Sequence, residues 1–252
     1  MNKLHTIFYI LTLPLIIVSC SKDLDSMSLN EKSIHQENRY NADKSEDKTR
    51  KPLEILNFSN IKPGMKVLDL LGGGGYYTEL FDYIVGSEGK VYIQNNSLFL
   101  RFSGETLTKR LNNSRLKNTV RIDSEFSDMK LPENMDLVFI GLSYHDIYVT
   151  REDPVIQANR EEFLSQLTSS LKPGGILLII DHAAKPGSGI SMASNLHRID
   201  EEWTKKDLQS VGFEFIKSLD VLRNPNDNYD LDIWKDDVIY KTDRFIHMYK
   251  LK

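Results

Sequence analysis

Apolar and polar positions along the chain form a repeating pattern of turns followed by short aliphatic runs. Three turns rich in glycine or proline, beginning at Lys62, Gly86 and Lys172, each lead into a run of strand length. We predict five strands in this region, at residues 66–71, 90–93, 120–122, 136–140 and 176–180. Helical stretches are predicted near residues 76–85, 98–112 and 159–171. Strands that alternate with helices indicate a parallel sheet covered on both faces.

The end of the chain has a different pattern. Residues 213–222 and 242–251 are both strand-like, and a polar loop rather than a helix separates them. Two late strands of this kind predict an antiparallel hairpin that closes the sheet. The expected fold class is therefore α/β, a doubly wound and mostly parallel seven-stranded sheet with a C-terminal antiparallel hairpin.

A glycine run interrupts the first of these units. The stretch VLDLLGGGGYYTEL, residues 67–80, contains a predicted buried strand, then Gly72, Gly73, Gly74 and Gly75, then a helix that opens at Tyr76 or Tyr77. Glycine allows backbone to approach a ligand closely and to adopt conformations that a Cβ would forbid. The pattern indicates a nucleotide-type small-molecule site at this turn.

Two common nucleotide sites do not fit this glycine run. A dinucleotide site needs a third spaced glycine, but Tyr77 stands at that position after Gly72 and Gly74. A dinucleotide site also needs an acidic residue at the end of the second strand, but this strand ends in Ile-Gln-Asn at 93–95. A phosphate-binding loop fails as well, because no Gly-Lys-Ser/Thr follows.

Charge and cysteine content narrow the function classes further. The net charge of −4 is mild and no basic run stands out, so we expect no nucleic-acid partner. The single cysteine, Cys20, excludes an internal disulfide and a cysteine-rich metal site.

The first twenty residues have the pattern of a targeting segment. Lys3 precedes a mostly apolar run at 7–18, which is short against the roughly 20 residues of a spanning helix. The sequence Ile-Val-Ser-Cys at 17–20 resembles the lipobox of bacterial lipoproteins, which implies cleavage before Cys20 and acylation of that residue. We therefore expect a signal peptide at 1–19, a flexible tether at 20–38 and a domain at 39–252, anchored to a membrane on its extracytoplasmic side. The alternative is an unprocessed leader and a cytoplasmic domain.

Several motifs occur together in one order along the chain. They are DLLGGGGYYTEL at 69–80, SYHD at 143–146, LKPGGILLIIDH at 171–182, LHRID at 196–200, LRNP at 222–225 and TDRF at 242–245. With them, residues from about 50 to 252 resemble class I S-adenosylmethionine-dependent methyltransferases, in particular bacterial methyltransferase-like proteins with secretion signals. The resemblance implies a Rossmann-like methyltransferase fold and S-adenosyl-L-methionine as cofactor.

The resemblance also implies roles for matching residues. Asp69 and the glycines at 72–75 are expected to hold the methionine end of the cofactor, and Leu71 stands where the family has its first glycine. Gln94 or Asn95 stands where an acid usually grips the ribose. The remaining expected cofactor contacts are Ser127 or Asp128 near the adenine, and Tyr144.

Histidines and carboxylates are expected to converge beyond the fourth and fifth strands, beside the glycine loop. His145 and Asp146 follow the fourth strand, Asp181 and His182 end the fifth, and His197 lies further along. A histidine there can act as a base, oriented by one of the carboxylates. A second hypothesis is a divalent metal held by Asp146 and Asp181. A third is that these pairs only support loops.

The expected function is transfer of a methyl group to an oxygen or nitrogen nucleophile of a small molecule. The alternative is a catalytically inactive binding module with the same fold, anchored to the membrane. The missing acid at Asn95 favours the alternative, whereas Asp69, the glycine run and the histidine–aspartate cluster favour the enzyme.

Overall fold

The computed structural model describes residues 26–150, 157–235, 238 and 241–252. The predicted signal peptide and Cys20 lie outside these residues. Within the described ranges, no helix combines the length and apolar character needed to cross a membrane.

A seven-stranded sheet forms the centre of the domain. Its strands are β1 Lys66–Leu70, β2 Lys90–Asn95, β3 Thr119–Asp123, β4 Met135–Gly141, β5 Leu171–His182, β6 Phe213–Ser218 and β7 Arg244–Leu251. The spatial order is β3-β2-β1-β4-β5-β7-β6. Neighbours from β3 to β5 pair in parallel, and β7 is antiparallel to both β5 and β6. The predicted fold class, including the antiparallel hairpin, is confirmed.

Helices cover both faces of this sheet. They are α1 Leu29–Ile34, α2 Asn41–Arg50, α3 Pro52–Ser59, α4 Tyr76–Val85, α5 Ser97–Leu111, α6 Arg160–Ser170, α7 Ala193–Leu196 and α8 Glu201–Gln209. One apolar core lies under α3 and α4, and the other lies under α6 and α8. Each of these helices buries an apolar face against the sheet, as expected for a two-sided α/β arrangement.

Strand β1 is the point at which the strand order reverses. Asp69 pairs with Ile93 of β2 on one side and with Phe139 of β4 on the other. The chain moves from β1 outward to β2 and β3, and then returns to place β4 on the opposite side. Ligands of open α/β sheets bind in the crevice beyond the carboxyl ends of such strands. The glycine loop and the turn after β4 both lie at this edge.

Ordered structure begins before the predicted domain boundary at residue 39. The expected flexible tether at 20–38 contains helix α1, whose N-terminus carries a reciprocal capping box between Ser28 and Glu31. Asn30 donates a 2.8 Å hydrogen bond to Asn57 of α3, which ties α1 to the domain. The polar composition suggested a tether, but the capping box and this long-range contact stabilise a helix instead.

Candidate active site

The loop after β1 alternates between ordinary and left-handed backbone conformations. Leu71, Gly73 and Gly75 have φ angles of +56°, +57° and +82°. In the family that the sequence resembles, the common form of this loop is D-x-G-x-G-x-G, and these three positions correspond to its glycines. Leu71 therefore keeps the backbone conformation of the first glycine while carrying a side chain that is buried in the core. The left-handed conformation costs a non-glycine residue about 1–2 kcal/mol.

Asp69 is packed against the start of this loop. A Cβ added to Gly72 would lie 2.7 Å from Cγ of Asp69, so only glycine fits there. Thr78 donates its hydroxyl to Oδ2 of Asp69 at 2.5 Å. Burial raises the pKa of Asp69 to about 7, and the hydrogen bonds from Thr78 oppose that rise. The site thus contains a buried carboxyl group that titrates near neutral pH.

The side chains at the end of β2, where a ribose contact is expected, form hydrogen bonds within the protein. Asn95 accepts a 2.8 Å hydrogen bond from the amide of Gly73 and donates a 3.0 Å bond to the carbonyl of the same residue. Gln94 donates through Nε2 to the carbonyl and the hydroxyl of Ser124. Asn95 therefore holds the glycine loop with both polar atoms of its side chain, and Gln94 joins β2 to the end of β3.

Unpaired polar atoms surround the same crevice. Within the described part of the chain, Oε1 of Gln94, Nδ2 of Asn96 and Oγ of Ser143 are buried and have no hydrogen-bond partner. Gln94 lies near the end of β2, Asn96 follows β2, and Ser143 follows β4; these two strands flank β1. Because buried polar groups are nearly always hydrogen-bonded, these atoms indicate a polar ligand at this edge of the sheet. This donor and acceptor set fits a cofactor with hydroxyl, amino and carboxylate groups.

A cleft of about 500 Å³ opens beside the ends of β2 and β3. It is lined by Ser97, Leu100, Asp123, Ser124, Glu125, Asp128 and Lys130. Of the two expected adenine contacts, Asp128 lines this cleft, whereas Ser127 is exposed and is not part of its lining. The predicted adenine contact therefore stays a prediction for Asp128 and has no geometric support for Ser127.

An arginine that the sequence analysis missed ties the N-terminal helix α2 to the glycine loop. Nε of Arg110 donates to the carbonyl of Gly74 at 2.6 Å, and its Nη1 donates to Asp43 of α2 at 2.6 Å. The same guanidinium pairs with Glu79 of α4. Arg110 is 1% exposed, so its charge is satisfied inside the protein by two carboxylates and a carbonyl. Helix α2 is therefore held against the glycine loop.

His145 and Asp181 form a buried hydrogen-bonded pair at the ends of β4 and β5. Nδ1 of His145 lies 2.7 Å from Oδ1 of Asp181, and the His145 amide donates to Oδ2 at 2.8 Å. The amide of His182 also donates to Oδ1 of Asp181 at 2.7 Å. A carboxylate only accepts hydrogen bonds, so Nδ1 of His145 donates the proton in this pair. Asp181 thus orients His145 and fixes its tautomer.

Nε2 of His145 points toward two further predicted residues. It lies 3.6 Å from Oδ2 of Asp146, and Nδ1 of His197 lies 4.0 Å from Oδ1 of Asp146. The ring centroids of His145 and His197 are 5.5 Å apart. Three predicted site residues therefore converge, although His197 is separated from the other two by fifty residues of chain.

His182 lies beside this group but is bonded elsewhere. Its Nδ1 is 2.8 Å from the hydroxyl of Thr242, and its ring centroid is 6.1 Å from that of His145. Burial, reinforced by the nearby His145 and by Arg244, lowers the pKa of His182 well below its usual value. His182 is therefore neutral at physiological pH.

Tyr144 is bonded away from the cofactor loop. It is fully buried, and its hydroxyl donates to Oδ2 of Asp207 on α8 at 2.5 Å. Burial raises the pKa of Tyr144 well above its usual value, so the hydroxyl stays protonated. The expected cofactor contact has no support in this geometry, because the single polar group of Tyr144 anchors α8.

Arg244 is a second residue that the sequence analysis did not assign to the site. It is buried at the start of β7, opposite His182, and its Nη2 donates to the carbonyl of Thr49 at 3.0 Å. Its Nε is buried and has no hydrogen-bond partner. Burial lowers the pKa of Arg244. A buried guanidinium with an unpartnered nitrogen is costly, which makes Arg244 a candidate to receive an anionic group of a ligand.

Comparisons with known proteins agree with this fold. No model of a protein family matches the chain. The chain is 26% identical over 167 residues to the ubiquinone/menaquinone biosynthesis C-methyltransferase UbiE of Shewanella sp. strain W3-18-1, covering 66% of the chain and 59% of that protein. The corresponding protein of Ectopseudomonas mendocina is 28% identical over 135 residues, or 53% of the chain and 47% of that protein.

A solved structure extends the similarity over most of the chain. The crystal structure of a SAM-dependent methyltransferase from Aquifex aeolicus matches with a TM-score of 0.58 and 21% identity, covering 82% of this chain and 93% of that one. The chain thus has the methyltransferase fold. It spans only about half to three-fifths of the length of the curated relatives that it matches.

Proposed function

We propose that this protein is an S-adenosylmethionine-dependent methyltransferase that methylates an oxygen or nitrogen nucleophile of a small molecule. The observation that carries this proposal is the loop at 71–75, with left-handed backbone at every second position and the buried carboxyl group of Asp69 beside it. The similarity to methyltransferases in sequence and fold supports it.

The residues of the loop would hold the cofactor by its methionine end. Asp69, when ionised, would attract the ammonium group, and Thr78 keeps the carboxylate in place. Gly73 lies in the loop with its amide and carbonyl held by Asn95, so the loop is fixed before a ligand arrives. The cofactor supplies an electrophilic methyl group on its sulfonium. The residues of the protein position the two reactants and help the acceptor to lose a proton.

Acceptor activation is assigned to the Nε2 side of His145. An oxygen or nitrogen nucleophile loses a proton when it is methylated, so the site needs a group that takes the proton or lowers the acceptor pKa. His145 presents Nε2 in a fixed direction because Asp181 holds Nδ1. Asp146 and His197 lie on the same side. In this proposal Asp181 is a positioning residue, and His182 lies next to the site in its neutral form.

The name of the relatives describes a C-methyltransferase, which suggests carbon as an alternative acceptor atom. A phenolic acceptor offers both an oxygen and a ring carbon. Mass spectrometry with fragmentation distinguishes the two methylated products. Our proposal expects the methyl group on oxygen or nitrogen, and a carbon-methylated product would refute that part.

Methyl transfer and cofactor binding separate the enzyme from an inactive binding module. Purified protein is incubated with S-adenosylmethionine labelled on the methyl group and with a panel of phenols, amines and hydroxy acids. The enzyme hypothesis expects labelled product with at least one acceptor and its loss in His145→Ala. Binding of the cofactor without transfer to any acceptor would favour the inactive module, and absence of binding would refute both.

We also propose that the protein is a lipoprotein anchored in a membrane through acylated Cys20, on the extracytoplasmic side and without a nucleic-acid partner. The support is the lipobox-like sequence at 17–20 and the absence of basic runs from the sequence. Cys20→Ser should release the protein from the membrane fraction. Unchanged fractionation of this variant would reject lipidation.

A further inference from the structure

The side chains on the Nε2 side of His145 have the composition of a metal site. One nitrogen of His145, one of His197 and one carboxylate oxygen of Asp146 all lie within 4.8 Å of one another. Among the described residues, this is the only group of three or more histidine, cysteine or acidic side chains with that property. His145 is buried and the other two are partly exposed, so the site is reachable from solvent. We name it the His145–Asp146–His197 cluster.

The distances between ligand atoms in the cluster are close to the distances between the ligand atoms around a bound ion. Ligand atoms about 2.1 Å from a tetrahedral zinc ion lie roughly 3.4 Å from one another. Nε2 of His145 is 3.6 Å from one oxygen of Asp146, and Nδ1 of His197 is 4.0 Å from the other oxygen. Small side-chain rotations would therefore bring the three ligands to bonding distance.

Asp181 supplies the outer support that metal-binding histidines usually have. A histidine ligand normally donates its second ring nitrogen to a carboxylate or carbonyl, which fixes the tautomer and raises the basicity of the ligating nitrogen. The 2.7 Å contact between Nδ1 of His145 and Asp181 has this form. Both oxygens of Asp181 are already used by His145 and by the amide of His182. Asp181 is thus an orienting group, and His197 stands in place of Asp181 in the group of three side chains that could hold an ion.

We propose that the His145–Asp146–His197 cluster binds one divalent transition-metal ion, with zinc as the preferred ion. Two imidazoles and one carboxylate suit zinc, iron or nickel, whereas magnesium and calcium prefer sites made of oxygen ligands. Three protein ligands leave a position open for a hydroxyl or amine of the acceptor, whose pKa the ion lowers. This role rests on the proposed methyltransferase function, but binding of the ion does not depend on it. The ion occupies the lone pair of Nε2, so it, rather than the imidazole, activates the acceptor.

Metal binding is tested on purified, tag-free protein that has been stripped with a chelator and dialysed. Calorimetric titration with zinc should show one ion per chain. Titration with cobalt should show the intense visible absorption of a tetrahedral site. His197→Ala and Asp146→Asn should each weaken zinc binding more strongly than Asp181→Asn, for which a loss of about 10- to 100-fold is expected from an outer-shell partner. The matched control is His35→Ala, an exposed histidine outside the cluster, which should bind zinc like the parent.

The outcomes separate this inference from the proposed function. Far-ultraviolet circular dichroism identifies any variant that fails to fold, and His197→Gln then replaces His197→Ala. Absence of stoichiometric zinc binding in the parent, or binding that neither ligand variant weakens, would overturn the metal site. A parent protein that binds S-adenosylmethionine but no zinc would overturn only the metal site. Zinc binding without cofactor binding would overturn only the methyltransferase proposal.

Discussion

The buried carboxyl group of Asp69 makes a sharp prediction about pH. Its pKa of about 7 in the folded protein compares with 3.8 for the group in solvent, because burial disfavours the charged form. The folded state therefore binds this proton more tightly than the unfolded state does. The contribution of Asp69 to the free energy of unfolding therefore falls as pH rises from 3.8 to about 7, and it is constant above that. A shift of this size corresponds to about 4 kcal/mol, an upper figure for the cost of keeping Asp69 ionised.

Two opposite effects of Asp69→Asn follow. The variant keeps the shape of the side chain but has no charge to desolvate, so above pH 7 it should be more stable than the parent, by up to about 4 kcal/mol. The same variant should bind the cofactor more weakly, because the ammonium group loses its carboxylate partner. Urea denaturation measures the first effect, and calorimetry with S-adenosylhomocysteine, which keeps the ammonium group, measures the second.

The pH dependence of binding distinguishes this account from a structural role. Below about pH 7 the parent must release a proton from Asp69 to bind the cation, so affinity should fall by up to about tenfold per pH unit. Asp69→Asn should show a much flatter profile over the same range. Asp136→Asn, at the opposite end of the sheet beside Lys172, is the matched control and should behave like the parent. A parent profile that is flat below pH 7, or Asp69→Asn less stable than the parent at pH 8, would refute the reasoning.

Two further predictions concern strain and ion pairing. Leu71→Ala loses core contacts worth about 2–5 kcal/mol and keeps the left-handed backbone. Leu71→Gly loses the same contacts but also relieves strain of about 1–2 kcal/mol, so in urea it should be at least as stable as Leu71→Ala. A glycine variant that is less stable than the alanine variant would contradict the strain. Glu201 pairs with Arg223 and accepts from Nε2 of His247, and these contacts lower its pKa from 4.5 to about 2. Glu201→Gln should cost about 2–3 kcal/mol at pH 7, and this difference should shrink as pH falls from 4.5 toward 2; a difference that stays constant with pH would exclude the ionic contribution.

The fold and the location of the site follow from local signals in the sequence. Three of the predicted parallel strands, at 66–71, 90–93 and 176–180, are aliphatic runs after a turn, and both features are set by neighbouring residues. The predicted strand at 120–122 lies within the observed β3. The meeting of His145 with Asp181 also followed, because residues at the ends of neighbouring parallel strands meet at one edge of a sheet.

Roles that depend on contacts between distant parts of the chain could not be predicted in this way. Asn95 holds Gly73 across 22 residues, and Arg110 contacts Asp43 across 67. Neither pairing leaves a pattern in the sequence, although an arginine one turn after the buried Leu107 was a signal that Arg110 faces the interior. Tyr144 was assigned by its place in a motif, and only the tertiary structure reveals its bond to an aspartate on α8.

The most direct test of the central claim is hydrogen exchange with and without S-adenosylhomocysteine. The claim is that the loop after β1 holds the methionine end of the cofactor. Exchange of the amides at 71–75 should slow when the ligand is bound, together with those at the end of β2, whereas β6 at the edge of the sheet should be unaffected. Slowed exchange elsewhere with no change at 71–75 would contradict the placement of the cofactor.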